Sequence, residues 1–456
     1  MGQTLLKYKS AFSWTVVLYL VVFNSWTNSS KTDAYIELEK LSDTEVMDLN
    51  RLFYAEKALQ IDSFLHLANF LYNFNGSALV AIDHQAVLEE GYGFADFASK
   101  EILTADHSFQ LASVSKQFTA VSILMLYERG QLALSDKVTK YLSSLPYPEI
   151  TIEQLLTHTS GIPNYLWFME NEWKATRIPN NDDLIKVLAT NLPQAYFSPG
   201  RLHDYSNTGY AVLAAIIEKV TGKAYPEFVA ENIFAPLGMK NSYVFKYSKD
   251  DQFEDRIKGY SRSGRYWREI PPTVNDGIVG DKGIYASVRD LFLWDQSLYQ
   301  NRLISDSLTQ KAFSHGILKS KREINYGFGF RIRYEDDIKI VYHNGKWEGF
   351  RNAFHRYIHD GNTIILLSNT DCRQIETIRK KIEFMINETP VNDDLLVIQG
   401  TIEFGYSFGN QLVMQKRAKN PRYKINAELL DSTIKMLDSL DKKQLSLILS
   451  QMRQFV

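Results

Sequence analysis

A chain of 456 residues, 45% hydrophobic and 23% charged, is long enough for one large domain or two smaller ones with substantial cores. A net charge of -2 gives no electrostatic basis for nucleic-acid or anionic-membrane binding. The single cysteine, Cys372, excludes an internal disulfide. It has no matching Cys/His constellation and reads as structural rather than as a thiol nucleophile.

Lys7 and Lys9 precede an apolar run from Ala11 to Phe23, then the polar stretch Asn24–Ser30. This is the pattern of a secretory signal, and the run is short for a spanning helix. Two cleavage sites compete, Ser25-Trp26-Thr27 and Thr27-Asn28-Ser29, so residues 1–30 read as an export signal or as an uncleaved membrane anchor. The expected location is periplasmic or secreted. Residues 31–50 are polar and acidic, a linker. Apolar spacing predicts a helix over 51–72. Ser77–Ile82 and Ala86–Gly91 read as a hairpin across Asp83-His84-Gln85. Ser113–Arg129 is a mostly apolar helical stretch closed by Gly130. Helical runs and Pro- and Gly-marked loops alternate from 131 to 325. Strands return at Tyr326–Tyr334, Ile338–His343, Phe350–Ile358 and Thr363–Ser368, the last two joined by Asp360-Gly361. Residues 51–385 therefore read as one α+β body. Its antiparallel sheet is built from N- and C-terminal strands flanked by helices, with a mainly helical insertion. Residues 386–456 read as an extension. Strand-like Thr401–Phe404 and Gln411–Gln415 flank Gly409-Asn410, and two amphipathic helices follow, the second capped by Asp441 with Gln444 three positions on.

Three short segments carry the chemistry. In Ser113-Val114-Ser115-Lys116 the serine and lysine are one helical turn apart, so Lys116 can reach the Ser113 hydroxyl. A serine hydroxyl needs such a neighbour to become a nucleophile. The helix N-terminus would stabilise developing negative charge there. Alone the pattern is weak: Ser432-Thr433-Ile434-Lys435 and Ser439-Leu440-Asp441-Lys442 share it and read as solvated helix faces. Two elements that follow Ser113 in order set it apart. Tyr205-Ser206-Asn207 offers a tyrosine to pass protons and an amide to bond substrate and lysine; Tyr299-Gln300-Asn301 matches only the bare pattern. His343-Asn344-Gly345 ends a strand. Its glycine allows close backbone approach, and the Lys346 N–H can complete an oxyanion hole with that of Ser113. His359-Asp360-Gly361 is explained by turn geometry.

These three segments resemble the motifs of the beta-lactamase/D-alanyl-D-alanine carboxypeptidase superfamily, in particular its class C and esterase-like branch. Gly91-Tyr92-Gly93-Phe94-Ala95-Asp96, Leu155 through Pro163, and Gly345 through Phe350 are similar to that family as well. The likeness covers roughly residues 60–375. It implies an acyl-enzyme on Ser113, with proton work shared by Lys116 and Tyr205. Asn207 would orient the substrate, His343, Asn344 and Gly345 would line the strand side, and the N–H groups of Ser113 and Lys346 would hold the oxyanion. The implied substrate is a small molecule or peptide: a D-Ala-D-Ala-type peptide, a beta-lactam or a small ester. No cofactor or metal is implied. Asn344 stands where threonine is frequent, and neutral His343 replaces a lysine charge. Both argue against tight recognition of a substrate carboxylate, and the expectation is easier turnover of small esters than of beta-lactams.

Other classes fit less well. Gly405-Tyr406-Ser407-Phe408-Gly409 matches a nucleophile elbow, but no histidine follows His359 to complete that triad, and strand-like Gln411–Gln415 stands where a helix is required. Among nine histidines none forms a metal motif. His158 reads as a loop histidine bonded to backbone. An inert peptide- or peptidoglycan-binding scaffold of the same fold would be expected to lack Ser113, Lys116 or Tyr205, and all three are present.

Overall fold

The structure is a computed structural model that describes residues 54–191, 193–245, 256–264, 266–335, 337–388, 397–398, 401, 406–419, 422–439 and 443–456. The N-terminal signal or anchor, the linker and the Asp441 cap lie outside the described residues. The chain divides into two compact units, Asp62–Ile382 and Met1–Ile61 with Glu383–Val456. The longer helices are α1 (Ala55–Tyr72), α2 (Ser115–Glu128), α3 (Asn181–Asn191), α4 (Asn207–Thr221), α5 (Val288–Tyr299), α6 (Ile375–Glu388), α7 (Tyr406–Lys419), α8 (Ala427–Ser439) and α9 (Lys443–Ser450). Among the described residues no helix is long and apolar enough to cross a membrane.

In the larger unit six strands form one antiparallel sheet: β1 (Gly76–Ile82), β2 (Gln85–Tyr92), β3 (Arg331–Glu335), β4 (Ile338–Trp347), β5 (Phe350–Tyr357) and β6 (Asn362–Ser368). Their order is β3-β4-β5-β6-β1-β2. N- and C-terminal strands meet where Gly76 pairs with Ser368. β1 and β6 are buried at every position, which explains why Ala78–Ile82 and Ile364–Leu367 read as continuous apolar runs. Strand bounds differ from the sequence pattern by more than one residue at two places. Tyr326–Phe330 is not strand: Gly329 has φ 83 and the Gly327 N–H donates to the Phe330 carbonyl, so pairing starts at Arg331. β4 runs on past His343 to Trp347, because β5 continues to pair with it as far as Phe350.

The inserted helices pack around α2. Ser115 through Leu126 are all buried, so this helix has no wet face. Several of its polar side chains are bonded internally. Thr119 donates to the Gly280 carbonyl at 2.6 Å, and Gln117 accepts from Trp294 Nε1 at 3.0 Å. Phe118 stacks on Trp294 with centroids 4.2 Å apart. A fully buried ion pair, Arg356 Nε to Asp295 Oδ1 at 2.5 Å, ties β5 to α5.

In the smaller unit α7, α8 and α9 share an apolar cluster that includes Val413, Leu430, Ile434, Leu437 and Leu449. The expected hairpin is corrected here: Gln411–Gln415 is helical, within α7. Leu412, Val413 and Met414 suit either period. Burial of Val413 in the helical cluster, with helix-forming Gln415, Lys416 and Arg417 following, decides for the helix.

Candidate active site

Ser113 sits in a single 3-10 turn, Ala112–Val114, immediately ahead of α2. Ala112 has φ 50, a left-handed conformation that costs a non-glycine residue about 1 kcal/mol. The turn is held by Gln110, whose Oε1 accepts from Ala112 N at 3.1 Å and Gly283 N at 3.3 Å. Asn352 in turn donates to the Gln110 carbonyl at 2.8 Å. Backbone strain is thus held in place beside a half-buried serine hydroxyl.

One turn on, Lys116 is completely buried. Its Nζ lies 3.3 Å from Ser113 Oγ, 2.8 Å from Asn207 Oδ1 and 2.8 Å from the Asp281 carbonyl. It also lies over the Tyr205 ring, 4.9 Å from the centroid. Burial lowers the Lys116 pKa to about 7; Asp281 opposes that shift and Arg331 adds to it. A substantial share of neutral amine is therefore present at neutral pH. The Tyr205 hydroxyl faces Ser113 but makes no full hydrogen bond among the described residues. Burial pushes its pKa up, so the phenol keeps its proton where Lys116 loses one. His158 braces this segment: its Nδ1 accepts from the Ser206 N–H at 3.2 Å, and its ring packs 4.2 Å from that of Tyr205. Burial holds this imidazole well below the ordinary histidine range.

The third segment lies on β4. A Cβ at Gly345 would come within 2.3 Å of the Leu111 carbonyl oxygen, so only glycine lets this strand reach the serine turn. His343 is buried and neutral. Its Nδ1–H donates to the Asn344 carbonyl at 2.7 Å, so Nε2 accepts from the Tyr326 hydroxyl at 3.1 Å. The Asn344 side chain donates to Glu376 at 2.7 Å and accepts from His355 Nε2 at 2.8 Å. Beyond Tyr342, which pairs with Arg331, β4 is paired on its β5 side. Ser113 opens onto two hollows. One of about 270 Å³ is lined by Leu166, Asn207, Lys282 and Trp347. The other, about 340 Å³, is lined by Tyr205, Arg331, His343, Asn344 and Gly345. Lys346 borders both.

The structure thus brings together Ser113, Lys116, Tyr205, Asn207, His343, Asn344, Gly345 and Lys346. Of the look-alike segments, Ser432–Lys435 falls in α8, His359 lies at the β5–β6 turn, and Tyr299 ends α5; none of them lines either hollow. Ser407 lies inside α7, which removes the strand argument against a nucleophile elbow; the missing downstream histidine still excludes that triad. Sequence reasoning missed Arg331, Asp281 and Glu376. Arg331 is hidden in an alternating strand, Arg331-Ile332-Arg333-Tyr334. Asp281 acts on Lys116 through its main-chain oxygen, which no side-chain pattern reveals.

The beta-lactamase family model matches residues 70–379. The chain belongs to the beta-lactamase family. Penicillin-binding protein 4* of Bacillus subtilis is 36% identical over 312 residues, 66% of this chain and 69% of that one. A D-aminopeptidase of Brucella canis is 27% identical over 300 residues, 64% of this chain and 55% of that one. Among solved structures, a penicillin binding protein from Bacillus halodurans superposes with a TM-score of 0.61 at 25% identity, covering 70% of this chain and 98% of that one. The chain is accordingly a serine hydrolase of that family.

Proposed function

We propose that this hydrolase cleaves a peptide-like amide bearing a free carboxylate, through an acyl-enzyme on Ser113. The observation that carries the reading is Arg331. Its guanidinium lines the larger hollow, 5.2 Å from the Tyr205 ring centroid, and has no carboxylate partner among the described residues. Its neighbours differ: Arg351 is bound to Asp371 at 2.7 Å, and Arg373 lies 3.8 Å from the same carboxylate. A cation left unpaired beside a nucleophile suits an anionic substrate group. Arg331 and Lys346 also offset the charge that His343 does not supply.

In this mechanism neutral Lys116 takes the Ser113 proton and Oγ attacks the carbonyl carbon. The N–H groups of Ser113 and Lys346 receive the oxyanion. Tyr205, still protonated, passes a proton to the leaving nitrogen and is resupplied by Lys116. Water then hydrolyses the acyl-enzyme. The strand edge beyond Tyr342 offers main-chain partners to an extended substrate, which favours a peptide over a simple ester. The penicillin-binding names of the relatives support the same direction.

The test is a panel of a D-Ala-D-Ala peptide, nitrocefin and p-nitrophenyl esters, with Ser113→Ala as control. The peptide is expected to turn over, and Arg331→Gln to raise its KM tenfold to a hundredfold, on the order of one lost charge-assisted bond, while the KM for neutral esters is unchanged; the lost positive charge beside Lys116 acts on the turnover of both substrates alike. Turnover confined to esters, with Arg331→Gln silent, would refute the carboxylate assignment. An inert scaffold would take no covalent fluorophosphonate label.

A further inference from the structure

We propose that Asp281 and Lys282 form a buried charge pair that positions Lys116 and sets the pH at which it can accept the proton of Ser113. This rests on the reading that Lys116 serves Ser113. Neither side chain is needed by the acyl-transfer steps above, yet both are almost wholly buried in the wall of the smaller hollow, with side-chain exposures of 2% and 3%.

The turn that carries them is built for the purpose. It is flanked by Gly280 at φ 103 and Gly283 at φ 99, and the Gly280 N–H bonds to the Lys282 carbonyl at 3.1 Å. A Cβ at Gly280 would come within 2.7 Å of the Tyr210 carbonyl oxygen, so the turn can press against α4 only with glycine there. Lys282 Nζ donates to the Asn275 carbonyl at 2.6 Å, the Ile278 carbonyl at 2.8 Å and the Tyr165 hydroxyl at 2.6 Å. Three acceptors match the three protons of an ammonium group. Tyr165 then donates to Asp281 Oδ2 at 3.1 Å. Asp281 Oδ1 is buried, 3.8 Å from Lys282 Nζ, and has no hydrogen-bond partner among the described residues. A carboxylate oxygen left in that state is unfavourable, so stability alone does not account for the arrangement. What it achieves is visible in the same residue: the Asp281 carbonyl oxygen is the 2.8 Å acceptor for Lys116. Lys282 anchors the turn from behind, and Asp281 meets the base by contact through its carbonyl and through space by its charge.

The other groups around Lys116 come from five segments of the chain. Tyr205 and Tyr210 present rings at 4.9 and 5.6 Å. His158 and His343 are both held neutral by burial. Arg331 faces it from β3 and Lys282 from the turn, both positive. Asp281 is the one anion among these groups. Its charge favours the protonated amine, whereas Arg331 disfavours it; Lys116 and Lys282, being like charges, each disfavour the other's protonation. The two members of the pair therefore act on Lys116 with opposite sign.

The experiment measures the rate of fluorophosphonate labelling of the full chain between pH 5 and 9, with thermal melts alongside. Wild type, Asp281→Asn, Lys282→Met and the double variant are compared. The wild-type rate is expected to rise through a limb near pH 7. Asp281→Asn should move that limb to lower pH and Lys282→Met to higher pH, each by about half a unit or more, with the double variant returning toward wild type. Loosening of the turn should also lower the plateau rate. A merely structural pair would lower melting temperature and plateau but leave the limb in place. Should Lys282→Met fail to fold, near-isosteric Asp281→Asn and the double variant carry the comparison. Limbs that superimpose, or that move in the same direction, overturn the inference. A wild type that takes no label would instead sink the acyl-enzyme reading itself.

Discussion

Replacing Lys116 by methionine should stabilise this protein at neutral pH relative to alkaline pH, and by an amount the structure sets. The lysine is fully buried and its pKa falls from 10.5 to about 7. In the unfolded chain it carries a proton up to its ordinary pKa; in the folded chain it gives that proton up near neutrality. Between those two values the unfolded state binds more protons, so wild-type stability rises with pH across that window. A displacement of about 3.5 units corresponds to roughly 5 kcal/mol, of which roughly 3–4 kcal/mol is recovered between pH 7 and 10. The methionine variant lacks this dependence. Urea unfolding of both proteins at pH 7, 8.5 and 10 gives the difference in stability, in which other titrations largely cancel. That difference should move in favour of the wild type by roughly 3–4 kcal/mol from pH 7 to pH 10. Methionine leaves Asn207 Oδ1 and the Asp281 carbonyl without their partner, but that penalty does not vary with pH. A difference constant within about 1 kcal/mol across the range would refute the assignment of a buried, deprotonating amine.

Other perturbations are equally specific. Gly345→Ala should push β4 off the serine turn and lower the labelling rate of Ser113 by on the order of a hundredfold, with a small change in melting temperature; unchanged labelling would mean that the Leu111 contact does not set the geometry. Asp295→Ala leaves the fully buried Arg356 uncompensated and should cost about 3–5 kcal/mol in denaturant unfolding. Glu376, held near pKa 2 by His355 and Arg379 against the opposing effect of burial, contributes stability above its unfolded pKa that is lost as pH falls toward 2. Glu376→Gln should flatten acid unfolding below pH 4.5 and free the Asn344 amide, which a change in peptide KM would report.

The parts of the site legible in sequence are those where a side chain and its spacing state the chemistry. Ser113 and Lys116 share a helical face at any tertiary fold, and Gly345 marks a close approach before its partner is known. The fold class followed from the order of the elements, strands at both ends of the domain with helical runs between them; the unbroken apolar runs within β1 and β6 fit the buried position the two strands take. What stayed hidden depends on main-chain atoms or on distant packing. The acceptor that fixes Lys116 is a peptide oxygen, and Arg331 shares its strand face with Arg333; only its place at the start of β3, over the Tyr205 ring rather than over Tyr342, sets it apart. Gln411–Gln415 was ambiguous for a different reason: three adjacent apolar residues have no period, and only the helices they pack against choose one.

The dry environment of α2 has a wider consequence. A rod clamped on every side moves little, so the amine of Lys116 keeps its place whatever ligand fills the hollows. Selectivity can then drift through Leu166 or Trp347 without detuning the bond-breaking step. A scaffold of this kind separates what it recognises from how it reacts.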